Sequence, residues 1–267
     1  MDQVIKQALE EDIGDGDLTT SQTIPPDKMI TAEIIAKEKG IICGLDLAQD
    51  VFLSFDKGIK FKKLAEDGDS VDSSQVVAEI KGVARSILTC ERTALNFMQR
   101  LSGISTLTHE FVEKVRDTDV KILDTRKTTP GLRELEKYAV RTGGGANHRM
   151  NLAEMIMIKD NHIKAAGSIN KALENVRKGT KVEVEIKNLN QIAEALDDKV
   201  DIILLDNMTL EDINKAVKLI RKRKLIEVSG NVNLKTVLQT AETGVDFISV
   251  GALTHSSKSL DISLNVL

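Results

Sequence analysis

Basic side chains and glycines are concentrated in residues 124–149. The chain carries a formal charge of −4, yet this segment holds seven basic side chains and three consecutive glycines. Arginine and lysine bind carboxylates and phosphates through charge-assisted hydrogen bonds, and glycine lets backbone amides approach the same ligand. The segment therefore predicts a pocket for a small, highly charged anion. Its basic residues and glycines are Arg126, Lys127, Arg133, Lys137, Arg141, Gly143, Gly144, Gly145, His148 and Arg149.

The composition excludes several classes of protein. A pI near 5.7 and an aromatic content of 3% without tryptophan argue against a general nucleic-acid binder. No apolar run approaches the roughly 20 residues that cross a bilayer, so no membrane segment is predicted. The first residues lack an apolar signal sequence, and Cys43 and Cys90 follow no disulfide or metal-binding pattern. We expect a cytoplasmic protein with two buried, reduced cysteines.

Short apolar runs alternate with helical patterns in the second half of the chain. This alternation indicates parallel strands joined by crossover helices, and it suits either an open doubly wound sheet or a barrel. Polar or small residues end all six runs. Because the carboxyl ends of all barrel strands meet at one mouth, these endings favour a barrel. The runs are residues 120–123, 155–158, 182–186, 202–205, 225–228 and 247–250.

The first half, to about residue 105, mixes element types. A long helical pattern at 84–116 is predicted to break near Ser102-Gly103, where small residues interrupt it. The glycine and valine pattern at 68–82 resembles the hammerhead folds of biotinyl and lipoyl carriers, and the likeness concerns the fold alone. Residue patterns further predict helices at 2–11 and 45–55 and strands at 29–37 and 76–80.

Nine motifs, in order along the chain, together resemble the quinolinate phosphoribosyltransferase family. Two of them lie in the basic segment, namely Asp-Thr-Arg-Lys-Thr-Thr-Pro-Gly-Leu-Arg at 124–133 and Gly-Gly-Gly-x-x-His-Arg at 143–149. Each motif alone is weak, but nine in order along nearly the whole chain are highly specific. The others are at 11–20, 91–96 with 101–106, 158–162, 182–185, 204–207, 228–230 and 249–255.

The resemblance implies an α/β protein of two domains. A hammerhead-like α+β sandwich at 1–105 would precede an incomplete, six-stranded parallel α/β barrel at 106–255, and a tail at 256–267 would return to the first domain. It also implies a homodimer in which Arg92 reaches the active site of the neighbouring subunit. The implied reaction joins quinolinate to 5-phosphoribosyl-1-pyrophosphate (PRPP) and gives nicotinate mononucleotide, pyrophosphate and CO2. This step of NAD biosynthesis would require Mg2+.

The substrates implied by this resemblance suit the basic segment. Quinolinate carries two adjacent carboxylates and PRPP carries phosphates, so binding needs several cations in a small volume. Each charge-assisted hydrogen bond contributes roughly 1.5–3 kcal/mol. The resemblance assigns substrate binding to Arg92, Thr125, Arg126, Lys127, His148, Arg149 and Lys159, with Lys127 near both substrates and Arg92 supplied by the partner.

Two carboxylates are candidates because of their position at the barrel mouth, and a salt bridge to Lys159 or Lys127 is a compatible alternative role for them. Glu185 and Asp206 end adjacent strands, where they suit ribose hydroxyls, Mg2+ or the positive charge that develops at the anomeric carbon. They are therefore the expected Mg2+ ligands and further substrate contacts. Glu183 shares the strand face of Glu185 but lies deeper, so we rank it lower. The expected catalytic set is Lys127, Lys159, Glu185 and Asp206.

The ends of the last two strands predict a phosphate site. Barrel enzymes often bind phosphate there through loop amides and a helix N-terminus, and the 5-phosphate of PRPP is the expected occupant. A simple tight turn is the alternative for each glycine. The residues concerned are Ser229, Gly230 and Asn231 on one strand end, and Val250, Gly251 and Ala252 on the other.

Arg133, Lys137 and Arg141 form a separate stripe. Their spacing places them on one face of a predicted helix. The stripe is either a solvated charged face, balanced by Glu134 and Glu136, or part of an entrance or interface. These three residues are therefore secondary candidates.

Two further hypotheses about function remain open. A molybdenum-transport-associated paralogue would share the fold, but the complete basic set argues against it. A non-catalytic anion-binding barrel would have little use for Glu185 and Asp206.

Within the leading hypothesis, His148 is expected to be a neutral donor to a carboxylate, since neighbouring cations disfavour the imidazolium. No nucleophile motif is present, so no covalent enzyme intermediate is expected.

Overall fold

The structure, a computed structural model, describes residues 2–177 and 179–267 and contains two compact units. One unit comprises the chain up to His109, Thr129–Gly144 and Ser256–Leu267. The other comprises Glu110–Thr128 and Gly145–His255. Each unit has its own sheet and its own buried core.

An antiparallel sheet is the framework of the first unit. The helices in this part of the chain are α1 (Asp2–Ile13), α2 (Leu18–Thr23), α3 (Leu45–Phe55), α4 (Ala84–Val115) and α5 (Arg133–Thr142). The strands are β1 (Met29–Ala36), β2 (Gly40–Ile41), β3 (Lys60–Lys63), β4 (Ser70–Val71), β5 (Val76–Val83) and β12 (Ile262–Val266). The four-stranded sheet has the order β12–β1–β5–β3, and β2 pairs with β4. Through β12, the end of the chain pairs with β1.

Helix α4 continues through Ser102-Gly103, where the sequence predicted a break. A side chain at Gly103 would overlap the carbonyl of Lys258, which lies against this turn of the helix. Ser102 keeps its hydroxyl bonded to the backbone of Cys43, at 2.9 Å from its amide nitrogen. The small residues therefore permit close packing within the first unit. The predicted break is wrong, because a single glycine lowers helix stability without ending the helix.

Thr129–Gly144 groups with the first unit, although the predicted boundaries placed it in the barrel. Long-range bonds account for the difference. The carbonyl of Ala139 accepts a hydrogen bond from Ser105 Oγ at 2.8 Å, and the hydroxyl of Tyr138 donates to Asp67 Oδ2 at 2.8 Å. Such contacts between distant positions leave no periodic signal in the sequence.

Six parallel strands form the sheet of the second unit, which confirms the predicted incomplete α/β barrel. Its order is β6–β11–β10–β9–β8–β7, and within the described residues no ladder joins β6 to β7. The strands are β6 (Lys121–Leu123), β7 (Ile156–Ile158), β8 (Val182–Ile186), β9 (Ile202–Asp206), β10 (Leu225–Ser229) and β11 (Phe247–Ser249). The helices are α6 (Asp160–Ala166), α7 (Ile169–Leu173), α8 (Ile192–Ala195), α9 (Leu210–Ile220), α10 (Val237–Ala241) and α11 (Ala252–His255).

The carboxyl ends of these strands lie at one level. Ser229 pairs with Asp206 on one side and with Ser249 on the other, and Leu123 pairs with Ser249. Because the strands are parallel and their ends pair with one another, the residues that follow these ends are brought together at one edge of the sheet. Across both described ranges, no helix is long and apolar enough to span a membrane.

Candidate active site

A cavity of about 540 Å3 opens at the carboxyl ends of the parallel strands. It collects most of the residues that the sequence assigned to substrate binding. The predicted residues that line it are Thr125, Arg126, Lys127, His148, Arg149, Lys159, Glu185, Asp206, Ser229, Gly230 and Asn231. Further lining comes from Met157, Leu204, Asn207, Glu227 and Ser249.

Arg149 is a half-buried cation of this cavity. Its Nη1 donates to the carbonyl of Met155 at 2.9 Å, while its buried Nε has no hydrogen-bond partner among the described residues. Burial lowers the pKa of Arg149, and the charge of Arg126 lowers it further, against an opposing effect of Glu183. Two guanidinium groups thus share a partly desolvated volume that would be stabilised by an anion.

The backbone of Lys127 is held from two sides. Its amide donates to Thr125 Oγ1 at 3.1 Å, and its carbonyl accepts from Thr254 Oγ1 at 2.8 Å. A side chain at Gly251 would lie 3.2 Å from Lys127 Cδ. In the described structure, Val250, Gly251 and Ala252 do not line the cavity, but Gly251 leaves the space that the lysine stem occupies.

An ion pair links Lys159 to Glu185 at the end of neighbouring strands. Lys159 Nζ lies 3.0 Å from Glu185 Oε2, with the glutamate side chain 9% exposed and the lysine side chain 43% exposed. On the next strand, Asp206 Oδ1 accepts a hydrogen bond from Ser229 Oγ at 3.0 Å. The cavity therefore contains carboxylates as well as its excess of cations. The side chain of His162 accepts a bond from the Lys159 amide at 2.9 Å, which is a structural role at the start of α6.

His148 is bonded to the protein through both ring nitrogens. Nδ1 accepts from the Arg149 amide at 2.8 Å, so in the neutral ring Nε2 carries the hydrogen. Nε2 lies 2.8 Å from Glu183 Oε2. The carboxylate that His148 engages here is thus a protein carboxylate, and Glu183, which we ranked lower, is its partner.

Asp124 anchors the segment that carries His148. The carboxylate is fully buried and accepts from the His148 amide at 2.9 Å and from the side chain of Asn147. A bridge between Leu123 and Ala146 continues the sheet edge beside it. Through these bonds, Asp124 holds Asn147 and His148 at the end of β6.

The loop after β10 has backbone conformations that favour glycine and asparagine. Gly230 and Asn231 have φ angles of 86° and 55°, and a side chain at Gly230 would overlap that of Asn207. Asn231 Nδ2 donates to Asn207 Oδ1 at 3.1 Å. Because successive residues of this kind turn backbone amides toward one side, the loop can form an anion-binding concavity.

The Arg133, Lys137 and Arg141 stripe does not line the cavity in the described structure. Its interpretation as a solvated face is wrong for two members of the helix, because Lys137 and Glu136 are both fully buried. Glu136 Oε1 lies 2.7 Å from Arg100 Nη2 in an ion pair. The hydrophobic spacing of α5 was visible in the sequence, but the burial of its charged residues was not.

Sequence reasoning missed Glu227 and Ser249 as cavity residues. Glu227 is 1% exposed and lies two positions before Ser229, on the same strand face. The same alternation that linked Glu183 to Glu185 could have found it. Ser249 donates to Glu227 Oε1 from the adjacent strand, a contact that depends on the strand register and has no local signal.

Arg92 lies on α4, in the first unit, and its side chain is exposed. All the other predicted site residues belong to the second unit. Its expected role in a neighbouring subunit stays a prediction.

Comparisons with known proteins agree over the whole chain. The quinolinate phosphoribosyl transferase N-terminal domain matches residues 17–102, and the C-terminal domain of the same family matches residues 104–265. A probable nicotinate-nucleotide pyrophosphorylase [carboxylating] of Synechocystis is 45% identical, over 100% of this chain and 92% of that protein. The corresponding Bacillus subtilis protein is 46% identical, over 96% and 90%.

Solved structures give the same result. NadC from Streptococcus pyogenes is 46% identical, with a TM-score of 0.95 and coverage of 100% of this chain and 96% of that chain. The nicotinate-nucleotide pyrophosphorylase from Francisella tularensis is 44% identical, with a TM-score of 0.94 and coverage of 99% and 95%. The resemblance seen in the nine sequence motifs is confirmed. The chain belongs to the quinolinate phosphoribosyl transferase family.

Proposed function

We propose that the cavity at the strand ends of the parallel sheet is where this enzyme joins quinolinate to PRPP. The reaction is phosphoribosyl transfer with decarboxylation, which yields nicotinate mononucleotide, pyrophosphate and CO2 in NAD biosynthesis.

The dicarboxylate of quinolinate binds between Arg126 and Arg149, with Lys159 beside it. Two observations carry this assignment. Burial and the charge of Arg126 lower the pKa of Arg149, and its buried Nε has no hydrogen-bond partner among the described residues. A planar guanidinium matches a carboxylate in geometry and charge. Lys127 lies along the same cavity and contacts both substrates in this proposal.

Glu185 and Asp206 face the ribose of PRPP. As the pyrophosphate leaves, positive charge develops at the anomeric carbon, and fixed carboxylates stabilise it electrostatically. Their oxygen donors also suit Mg2+, which binds through one or two carboxylates together with water and substrate phosphates. Asp206 fits because it is half-buried at the cavity and Ser229 occupies only one of its two oxygens. When bound, Mg2+ would offset the negative charge of the pyrophosphate.

The 5-phosphate binds at the loop of Ser229, Gly230 and Asn231. Positive φ angles at Gly230 and Asn231 favour amides that point at an anion. Gly251 supports this end of the cavity indirectly, because its lack of a side chain accommodates the stem of Lys127. Val250 and Ala252 belong to the same turn, and we assign them to its backbone.

Chemistry follows from positioning and electrostatics. The ring nitrogen of quinolinate attacks the anomeric carbon as the bond to pyrophosphate breaks. The resulting pyridinium withdraws electrons from the adjacent ring carbon, so that carbon can release CO2, keep the bonding electron pair and then take a proton. Arg126 and Arg149 orient the ring for attack by holding its carboxylates, and no covalent bond to the protein is needed.

Turnover of quinolinate and PRPP with Mg2+ tests the site assignment. Purified protein should release CO2 and nicotinate mononucleotide, and Arg126→Ala should abolish turnover while the protein stays folded. Arg116→Ala, which removes an exposed arginine outside the cavity, is the matched control. Full activity in Arg126→Ala would remove this residue from the site, and wild-type protein that is folded but inactive would contradict the whole proposal.

A homodimer that shares active sites is the second part of the proposal. Arg92 is exposed on the first unit and does not line the cavity in the described structure, so it suits the site of a neighbouring subunit. Mixed dimers of Arg92→Ala and Arg126→Ala subunits test this. With exchange between subunits, half the dimers should be mixed and each should hold one complete site, restoring about one quarter of wild-type activity. No restoration would place Arg92 in its own subunit's site, and full activity of Arg92→Ala by itself would place it outside catalysis.

A cytoplasmic location completes the proposal. Cys43 and Cys90 are buried free thiols, and burial raises the pKa of each to about 12. Reduced thiols of this kind suit a reducing compartment. Fractionation of cells that express the tagged chain should recover it with the cytosol, and recovery with membranes would contradict this part.

A further inference from the structure

A cluster of one histidine and two glutamates lies beneath the proposed quinolinate site. His148 Nε2 is 2.8 Å from Glu183 Oε2 and 3.6 Å from Glu227 Oε2. The ligand-capable atoms of all three side chains lie within 4.8 Å of one another. Both glutamates are almost fully buried, at 0% and 1% exposure. A buried carboxylate pair of this kind requires compensation.

The ring of His148 fixes how the cluster is protonated. Because Nδ1 accepts from the Arg149 amide at 2.8 Å, the ring must be neutral, with its hydrogen on Nε2. Nε2 then donates to Glu183. If the ring took up a second proton, Nδ1 would become a donor, and the bond from the Arg149 amide would be lost.

Glu227 is the second carboxylate beside the ring, with Oε2 at 3.6 Å from His148 Nε2. The groups that face it are Glu183 on β8, Ser249 on β11, His148 on the segment after β6, and Lys159 after β7. Burial, followed by the charge of Glu183, raises the pKa of Glu227 to about 7, while His148, the Ser249 hydroxyl and Lys159 act in the opposite direction. An ionised Glu227 would place a second negative charge beside the ring and favour its doubly protonated form.

We propose that Glu227, as a neutral carboxylic acid, is a positioning residue that keeps His148 neutral and thereby holds the backbone of Arg149 in place for quinolinate. Glu183 supplies the acceptor for His148, and Glu227 limits the local charge to one negative group. Ser249 orients Glu227 by donating to its Oε1. This role rests on the proposed placement of quinolinate at Arg126 and Arg149.

Steady-state kinetics of two Glu227 variants test the proposal. Glu227→Gln preserves shape and neutrality, so the KM for quinolinate should stay within about twofold of wild type at pH 6.5. Glu227→Ala removes the group, and loss of one buried hydrogen-bonding partner should raise that KM about tenfold, with the KM for PRPP changing less. Glu211→Gln, on the exposed face of α9, is the control for the amide substitution.

The pH dependence gives a readout that a merely structural role would not move. As pH rises from 6 to 8.5, wild-type Glu227 ionises and Glu227→Gln cannot. The ratio of the wild-type quinolinate KM to that of Glu227→Gln should therefore rise with pH, because ionised Glu227 adds a second negative charge to the cavity proposed for the dicarboxylate. A flat ratio would overturn the proposal, and so would equal damage by glutamine and alanine, which would mean that a carboxylic acid itself is required.

Nitrogen-15 spectra of histidine-labelled protein provide a test that does not need substrate. The chain has four histidines, and His148→Gln would assign the signal. We expect the Nε2–H form at pH 6.5 and above in both wild type and Glu227→Gln, since Nδ1 accepts from the Arg149 amide in the folded protein. A wild-type ring that is doubly protonated at pH 6.5 would overturn the proposal.

Failure of this inference differs from failure of the proposed site. If Arg149→Ala raises the quinolinate KM but Glu227→Ala leaves it unchanged, the site stands and the role of Glu227 is wrong. If neither variant affects quinolinate, the placement of the substrate is wrong. A divalent metal that copurifies at one equivalent and is lost in Glu227→Gln would also overturn the inference, since the cluster would then be a metal site.

Discussion

Two charged clusters of the molecule use the same residue types and differ in how completely the charges are matched. In the first unit, Glu136 is fully buried and accepts four hydrogen bonds, two from Arg100 and two from Thr129, at 2.7–3.1 Å. In the second unit, Arg149 makes a bond to a backbone carbonyl while its buried Nε has no partner among the described residues.

The difference separates a structural cluster from a binding cluster. A buried carboxylate that accepts four hydrogen bonds from the protein stabilises the fold and has little acceptor capacity left for a ligand. A partly buried guanidinium beside another cation is held in an unfavourable state until an anion arrives. Residue type and density are similar in both places, so the state of the hydrogen bonds carries the functional information.

Removal of Arg149 should have the largest effect and should act on activity. Arg149→Ala is expected to lower kcat/KM for quinolinate by about 10²- to 10³-fold, as for loss of one oriented charged donor. Stability should change little, because the lost bond to Met155 is offset by relief of repulsion with Arg126. Kinetics and thermal unfolding of the same preparation measure both effects. A large loss of stability with unchanged kinetics would reverse the assignment of the two clusters.

Removal of Glu136 should have the opposite profile. Glu136→Ala leaves Arg100 without its carboxylate partner and leaves two donors of Thr129 unbonded. We expect the free energy of unfolding to fall by about 3 kcal/mol, at the lower end for a buried pair because Arg100 is 26% exposed and can regain water. Urea unfolding measures the change. A stability loss below about 1 kcal/mol would mean that the cluster is not a structural anchor.

The sequence predicted the elements of the second unit more fully than the details of its site. Alternation of apolar and helical patterns placed all six strands, because each strand is mostly apolar and buried or half-buried, and such a signal is local. The motifs placed Arg126, Lys159 and Asp206 at strand ends, where the cavity indeed lies. The strands, and the residues at their ends, could therefore be predicted from the order of the local patterns along the chain.

Contacts between distant positions could not be predicted. The bond from His148 to Glu183, and the place of Glu227 beside them, depend on the register of three strands. The unbroken helix at Gly103 depends on where Lys258 returns. Each of these features arises from packing between remote parts of the chain, and no periodicity within a window of the sequence reports it.

The pH dependence of stability should distinguish Glu136, which is paired with Arg100, from the buried carboxyl group of Glu227. Burial raises the pKa of Glu227 to about 7, so its contribution to stability is complete below its unfolded pKa of about 4.5 and is lost as pH rises through 7. Wild type should therefore lose on the order of 2 kcal/mol between pH 5 and pH 8 relative to Glu227→Gln.

Thermal unfolding of wild type and Glu227→Gln in parallel across this range measures the difference. The gap in Tm should grow in favour of the glutamine variant as pH rises. Glu211→Gln, on an exposed helix face, is the control and should show no such trend. A gap that shrinks with rising pH would mean that the folded protein favours ionised Glu227, and the distinction from Glu136 would disappear.

The smallest expected effect concerns Arg141, which shares helix α5 with Glu136 but is exposed. Its guanidinium lies 5.7 Å from the centre of the Tyr138 ring, a surface contact worth roughly 0.5–1 kcal/mol. Arg141→Ala should therefore lower stability by less than about 1 kcal/mol and leave the quinolinate KM unchanged. A tenfold rise in that KM would place the stripe at the site and show that a cation can serve the substrate without lining this cavity. Equal kinetics for Arg141→Ala and wild type, beside a large defect in Arg149→Ala, would separate the two arginines by their surroundings alone, since their residue type and segment are the same.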